Sequence, residues 1–177
     1  MTDAGQPLDG RSRIVYSTTH MTLREDQFLA DDGTCGTYSI VERPDFALIV
    51  PEAADRSLVL IQTYRYPVDA TFWEFPQGGI EGSESAGNAA ARELEEETGL
   101  RAGSLHVLGR LYEAYGYATS AFTVLHATGL EGDVSLAEAA TVTVGHFTVP
   151  EVWRMVSAGL ITDAPTVAAL GLYVRGR

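Results

Sequence analysis

The chain has 177 residues, of which 45% are hydrophobic and 20% are charged, values typical of a single globular domain with a substantial core. Its 24 acidic residues outnumber its 12 basic residues, and the formal net charge of −12 argues against binding to a nucleic-acid backbone. No apolar run approaches the roughly 18 residues that a membrane-spanning helix needs. Cys35 is the single cysteine, so no internal disulfide can form and we expect a reduced, cytoplasmic protein.

The first 43 residues are predicted to form a tail and a small antiparallel β unit of two or three strands. Residues 1–13 contain no hydrophobic signal segment and are expected to be a frayed tail. Apolar and polar residues then alternate, Asp31–Thr34 is a turn signal, and Thr37–Val41 is a second extended run. Because so small a β unit is not stable alone, we expect residues 1–43 to mediate homodimerisation and residues 44–177 to form the main domain.

Strands and helices alternate over the rest of the chain. Two apolar runs, Phe46–Val50 and Leu58–Tyr64, predict buried strands, and the second of them is expected to be central. Further strands are predicted over residues 105–112, 121–127 and 142–149, and helices over residues 150–157 and 163–173. This order of elements predicts an α/β fold, an α/β/α sandwich with a mixed sheet.

The segment Gly78–Leu100 has the pattern of a glycine-rich loop followed by a helix. Three glycines within five residues let the loop backbone approach a ligand closely. A serine, Ser83 or Ser85, is expected to cap the start of the helix, and Gly99 is placed to cap its end.

Three carboxylates share one face of this predicted helix, because Glu93, Glu96 and Glu97 fall at positions i, i+3 and i+4. The adjoining face is expected to pack against the core and carries Gly87, Ala90, Ala91 and Leu94. Like charges at this spacing destabilise a helix by about 0.2–0.5 kcal/mol per pair, and Arg92 offsets only part of that. Such an acidic run is typical of a solvated helix face, but a hard divalent cation such as Mg²⁺ would also resolve the repulsion.

The spacing of this segment resembles the Nudix box at every defined position. The matching positions are Gly78, five residues, Glu84, seven residues, Arg92–Glu93–Leu94, one residue, Glu96–Glu97, one residue and Gly99–Leu100. The resemblance implies an enzyme that hydrolyses a nucleoside diphosphate linked to another moiety, with Mg²⁺ or Mn²⁺ as its cofactor. It also implies that the carbonyl of Gln77 or Gly78 completes the metal shell.

The same resemblance implies a catalytic role for five side chains of the box. Glu93 and Glu97 would be the main metal ligands, and Glu96 would be a further ligand or the base that activates water. Glu84 and Arg92 would form a supporting pair that fixes the loop against the helix.

A second stretch resembles the ADP-ribose pyrophosphatase branch of the Nudix family. QTYRYPV at 62–68 and WEFPQGGIE at 73–81 are similar to the branch pattern QYRxPV…WELPAGxxE. The resemblance implies that Arg65 contacts a substrate phosphate or the terminal ribose and that Glu74 lines the nucleotide site. It implies hydrolysis of ADP-ribose or a related nucleotide sugar to a nucleoside monophosphate and a sugar phosphate. Enzymes of this branch form dimers through a small swapped N-terminal sheet.

The chain departs from the branch pattern on the substrate side. Tyr115 stands where these enzymes usually carry a proline, and no acidic residue follows closely after Gly116, although both residues are expected to face the substrate. A tyrosine in this loop is typical of Nudix enzymes that cleave dinucleoside polyphosphates, so that substrate class is an alternative. A non-catalytic Nudix-fold sensor of nucleotide sugars is a second alternative, and the intact glutamates of the box weigh against it.

The loop before the strand predicted at 142–149 also lacks the glutamate that serves as the base in the branch. None of residues 140–144 can take a proton at neutral pH. We therefore expect Glu96 to be the general base, and Glu138, the nearest acidic residue in the loop, is the alternative.

Overall fold

The protein is represented by a computed structural model, which describes residues 6–134 and 142–176. The described chain separates into two compact units. One contains the residues through Asp45 together with Tyr112–Ala121, and the other contains the rest. The sequence-based division between residues 43 and 44 did not assign Tyr112–Ala121 to the first unit.

The N-terminal unit is a three-stranded antiparallel sheet. Its strands are β1 (Gln6–Ser17), β2 (Thr22–Leu29) and β3 (Cys35–Glu42), in the order β1-β2-β3. The expectation of a frayed tail over residues 1–13 is wrong from Gln6 onward, because the backbone pairs with β2 from Gln6 opposite Leu29 to Ser17 opposite Thr22. Polar cross-strand contacts hold the pairing, among them the ion pair of Arg13 with Glu25 at 2.6 Å.

The segment Tyr112–Ala121 is bonded to β3 through its backbone. Val41 N–H donates to the carbonyl of Tyr117 at 2.8 Å, and Thr119 N–H donates to the carbonyl of Val41 at 3.0 Å. The Tyr38 hydroxyl donates to the carbonyl of Gly116. These bonds explain why a loop far along the chain belongs to the N-terminal unit.

The second unit contains two sheets. Its strands are β4 (Phe46–Pro51), β5 (Leu58–Arg65), β6 (Ala70–Glu74), β7 (Gln77–Gly79), β8 (Leu100–Tyr112), β9 (Ala121–Gly132) and β10 (Thr143–Phe147). One sheet has the antiparallel order β10-β5-β6, so β5 is central as predicted. The other has the order β7-β4-β9-β8, in which β4 runs parallel to β9 and antiparallel to β7.

Three helices complete the second unit: α1 (Ala86–Thr98), α2 (Val149–Ser157) and α3 (Ala164–Arg175). Ser85 is the N-cap of α1 and accepts from Asn88 N–H at 3.2 Å, which selects it over Ser83. Gly99 ends α1 with a φ of 71°, in the left-handed region that favours glycine. No helix in the described ranges is both long and apolar enough to cross a membrane.

The core of the second unit lies on both faces of the sheets, because strand side chains alternate in direction. Leu48 and Val50 of β4 belong to the cluster that contains α2 and α3, whereas Ala47 and Ile49 belong to the cluster that contains α1. This is the α/β/α arrangement that the sequence predicts.

The placement of Ala91 on the core face of α1 is wrong, because Ala91 is exposed and Ala89 is fully buried instead. At 3.6 residues per turn, Glu93 and Glu97 point from the helix axis in a direction that lies between those of the buried Ala89 and Ala90. The helix therefore turns part of its acidic face toward the protein.

Candidate active site

The loop and helix of the box meet at two glutamates. The N–H of Gln77 donates to Oε2 of Glu97 at 3.0 Å. The Glu93 carboxylate lies against Gly78 so closely that a Cβ added at Gly78 would overlap it. Strand β7 holds this part of the loop in place by pairing with β4, with Gln77 opposite Leu48. Glycine at position 78 thus leaves the space that Glu93 occupies.

Arg92 joins the loop to the helix. Its guanidinium contacts Glu84 at 3.1 and 3.3 Å, Glu93 at 2.6 Å and Glu96 at 3.2 Å. It also donates to the carbonyl of Gly79 at 2.8 Å. One side chain therefore contacts three carboxylates and the loop backbone. The supporting role of Glu84 and Arg92 in catalysis stays a prediction.

Burial and like charge disfavour ionisation of the two inner glutamates. Burial raises the pKa of Glu97 to about 8, and the nearby charges of Glu93 and Glu74 add to this rise. The hydrogen bond from Gln77 N–H and the charge of Arg65 act in the opposite direction and lower the pKa. Burial also raises the pKa of Glu93, and Arg92 opposes that shift. A cation brought to this cluster would favour the charged form of both carboxylates.

The residues present fit a hard divalent cation by the chemistry of their donors. Carboxylate and carbonyl oxygens surround the loop, and these are the ligands that Mg²⁺ and Mn²⁺ prefer. As the described side chains stand, no three His, Cys, Asp or Glu residues converge closely enough to hold an ion. Arg92 engages Glu93, and the Glu96 side chain is 43% exposed, so the cluster is open on the Glu96 side.

Arg65 and Glu74, both predicted to contact the substrate, are brought together as an ion pair. The guanidinium donates through Nε to Glu74 at 3.1 Å and makes a second contact through Nη2, in a fork-to-fork arrangement. Glu74 is only 2% exposed, whereas the Arg65 side chain is 47% exposed. Glu74 therefore orients Arg65, and Arg65 is the member of the pair that solvent reaches.

Two polar residues of the site were not identified from the sequence. Asp163 accepts from the side-chain amide of Gln77 at 3.3 Å, and the buried Thr166 accepts from Phe75 N–H at 3.1 Å. The sequence indicated Asp163 only as a helix cap. Its partner Gln77 is 86 residues away along the chain, and no local pattern predicts such a contact.

The remaining predicted site residues belong to the N-terminal unit or lie outside the described residues. Tyr115 and Gly116 belong to the N-terminal unit, where Tyr115 is 85% exposed, and their contact with substrate stays a prediction. Glu138, the alternative base, lies outside the described residues, as do residues 140 and 141.

The chain belongs to the Nudix family, because residues 42–166 match the NUDIX domain. It is 30% identical over 164 residues to the ADP-ribose pyrophosphatase of Mycobacterium tuberculosis, covering 90% of this chain and 79% of that protein. It is 28% identical over 159 residues to the ADP-ribose pyrophosphatase of Bacillus subtilis, covering 88% and 86%. A crystal structure of an ADP compounds hydrolase superposes with a TM-score of 0.84 and 25% identity, covering 96% and 93%.

These relatives also identify the branch of the Nudix family to which the chain belongs. It is a Nudix pyrophosphohydrolase of the ADP-ribose pyrophosphatase-like branch, and the predicted family, fold class and enzyme class are confirmed. Nudix hydrolases generally use divalent metal ions.

Proposed function

We propose that this enzyme hydrolyses the pyrophosphate bond of ADP-ribose or a related nucleotide sugar, giving a nucleoside monophosphate and a sugar phosphate, with Mg²⁺ or Mn²⁺ as its cofactor. The observation that carries the proposal is the meeting of Glu93 and Glu97 with the loop backbone at Gly78 and Gln77. The names of the two bacterial relatives support the choice of substrate.

The proposed metal ligands are the carboxylates of Glu93 and Glu97 and the carbonyl of Gln77 or Gly78, with Glu96 as a further ligand or the base that activates water. When bound there, the metal would neutralise the pyrophosphate charge and lower the pKa of a bound water. The chain's own contribution is to hold the inner carboxylates in a half-buried position between α1 and the loop. Arg92 fixes the loop to α1 and so keeps the carbonyls near these carboxylates.

Glu96 is the proposed general base. It lies one helical turn from Arg92, which donates to its Oε2 at 3.2 Å, and its side chain is 43% exposed, against 14% for that of Glu93. Solvent reaches its carboxylate, so it can take a proton from an attacking water and pass it to bulk solvent. Glu138 is the alternative.

We expect Glu96→Gln to lower kcat by on the order of 10²-fold or more, because glutamine keeps the shape of the side chain but cannot accept a proton. The matched variant Glu138→Gln should retain kcat. The measurement is steady-state kinetics of both variants on the same substrate. A large loss in Glu138→Gln with little loss in Glu96→Gln would assign the base to the loop.

Arg65 is proposed to bind a substrate phosphate or the terminal ribose, since Glu74 already fixes the orientation of its guanidinium. Tyr115 and Gly116 are proposed to contact the rest of the substrate. The proposed substrate is tested by comparing kcat/KM for ADP-ribose, other nucleotide sugars and a diadenosine polyphosphate in Mg²⁺. ADP-ribose or another nucleotide sugar should give the highest value, and a higher value for the diadenosine polyphosphate would favour the alternative substrate class.

We also propose a homodimer formed through the N-terminal sheet. Strand β1 is an edge strand, and three consecutive apolar residues on it are 46–65% exposed: Ile14, Val15 and Tyr16. An edge strand that carries exposed apolar side chains is suited to pairing with a second chain.

Light scattering should therefore give twice the 19.0 kDa mass of the chain at micromolar concentration. Ile14→Lys should shift the mass toward the monomer, because the charge would be buried at the contact. Val107→Lys is the matched control, since Val107 is 66% exposed on another edge strand, β8. A monomeric wild-type protein at this concentration would rule the proposal out.

A further inference from the structure

Gln77 stands where the branch pattern WELPAG has an alanine, and its longer side chain forms a hydrogen bond that alanine cannot form. The amide nitrogen donates to Oδ2 of Asp163 at 3.3 Å. The same side chain lies close enough to Glu74 to act on its carboxyl, and it opposes the rise in pKa that burial gives Glu74. The neutral donor of Gln77 is therefore bonded to one carboxylate, Asp163, and placed near a second, Glu74, which is also paired with Arg65.

Helix α3 is bonded to the segment before the box at several points. Oδ2 of Asp163 also accepts from Thr166 N–H at 2.8 Å, so one oxygen caps the helix and holds Gln77. The hydroxyl of Thr166, which is fully buried, accepts from Phe75 N–H. Together these bonds fix both ends of the short run from Phe75 to Gln77 to the start of α3.

The bonds to α3 fix the residue whose backbone contacts Glu97, which is Gln77. The side chain of Gln77 is bonded to Asp163, and the backbone N–H of the same residue donates to Glu97. Its carbonyl is one of the two proposed metal ligands. Rotation of this residue would move the donor to Glu97 and the carbonyl together.

We propose that Asp163 and the Gln77 side chain are positioning residues, which hold the backbone of Gln77 so that its N–H stays on Glu97 and its carbonyl is presented to the metal. The inference rests on the proposed function, because it takes Glu97 and the Gln77 carbonyl as ligands. Partners of metal ligands commonly change metal affinity or activity by 10–100-fold when they are removed.

The geometry defines a rescue variant. Both hydrogen bonds end on one oxygen of Asp163, so Asp163→Asn can keep both bonds and is an equally good helix cap. Asp163→Ala removes both bonds. Gln77→Met removes the amide but keeps the length of the side chain and the backbone. Thr148→Ala is the control for a lost cap, because in the described part of the chain Thr148 forms a capping box with Glu151 of its own helix, α2.

Three quantities are measured for each variant. They are the exchange of the backbone amide proton of residue 77 by NMR in metal-free protein, the Mn²⁺ affinity by electron paramagnetic resonance without substrate, and the kcat and KM on ADP-ribose. Asp163→Ala and Gln77→Met should speed amide exchange. Both should also weaken Mn²⁺ binding and lower kcat by about 10–100-fold. Asp163→Asn and Thr148→Ala should match the wild type in all three measurements.

The outcomes separate this inference from the proposed function. Unchanged amide exchange, Mn²⁺ affinity and kcat in Asp163→Ala and Gln77→Met would overturn the inference while leaving the function intact. An equal loss in Thr148→Ala would also overturn it, since a general effect of helix stability would then explain the data. A wild-type protein that neither binds Mn²⁺ nor cleaves a nucleoside diphosphate derivative would overturn the proposed function, and the positioning role toward the metal with it.

Discussion

Glu97→Gln should lower turnover by on the order of 10³-fold, because a lost metal ligand removes several kcal/mol of transition-state stabilisation. Glutamine can still accept the hydrogen bond from Gln77 N–H, so the loop should keep its contact with α1. The loss would therefore come from the missing negative charge and not from a displaced loop. Steady-state kinetics at saturating Mg²⁺ measures it.

The fold of this variant is checked by its free energy of unfolding in chelator at pH 8. The raised pKa of Glu97 means that the folded protein favours the neutral carboxyl over the charged one. The stability that this preference contributes is present at low pH and is lost as the pH rises from about 4.5 through about 8. Glu97→Gln removes this loss and should be at least as stable as the wild type. An unstable variant would point to misfolding as the cause of inactivity.

Glu95→Gln is the matched control on the same helix. Glu95 is exposed between the box positions, where it accepts from Arg101 Nε at 2.8 Å, and such surface changes usually alter stability by less than about 0.5 kcal/mol. Its activity should stay close to that of the wild type. An equal loss in both variants would show that the acidic character of the helix matters, and not the position of Glu97.

Gly78→Ala should lower kcat by about 10²-fold, because the new methyl group occupies the space of the Glu93 carboxylate. The group that must move is the end of a flexible side chain, so we expect the fold to remain and the Glu93 carboxylate to leave its place beside the loop. Kinetics and urea unfolding of the same preparation separate the two effects. Full activity would mean that Glu93 does not act from this position.

Gly87→Ala is the control for Gly78→Ala. Gly87 lies in the first turn of α1, and the nearest atom to an added methyl group is Ser85 Oγ at 3.9 Å. Alanine is favoured over glycine inside a helix by about 1 kcal/mol, so this variant should gain stability and keep its activity. A large loss of activity in this control would show that any added methyl group near the helix start disturbs the enzyme.

The α/β architecture and the core of the site follow from local patterns in the sequence. Continuous apolar runs predict β4 and β5 because strands buried on both faces have little polar surface. Capping rules that involve neighbouring residues only predict the ends of α1, at Ser83 or Ser85 and at Gly99, and the structure selects Ser85. The spacing of the glutamates along one helix likewise fixes which of them share a face.

The features that sequence patterns did not predict depend on contacts between distant segments or on exact rotation. The Asp163–Gln77 bond and the attachment of Tyr112–Ala121 to β3 join residues far apart in the chain. The strand pairing that begins at Gln6 has no apolar alternation in the sequence to mark it. It is formed by the backbone pairing with β2, to which the polar side chains of Ser12 and Arg13 add contacts. Ala91 lies at the border of the core face of α1, where a small rotation decides burial.

The central claim is that this Nudix enzyme cleaves ADP-ribose or a related nucleotide sugar in a metal-dependent reaction at the box. Its most direct test is the release of AMP and ribose 5-phosphate from ADP-ribose in Mg²⁺, in excess EDTA, and after Mg²⁺ is restored. We expect equal amounts of both products in Mg²⁺, almost none in EDTA, and full recovery when Mg²⁺ is returned. Undiminished release in EDTA, or no nucleoside monophosphate in Mg²⁺ from ADP-ribose or from any related nucleotide sugar, would contradict the claim.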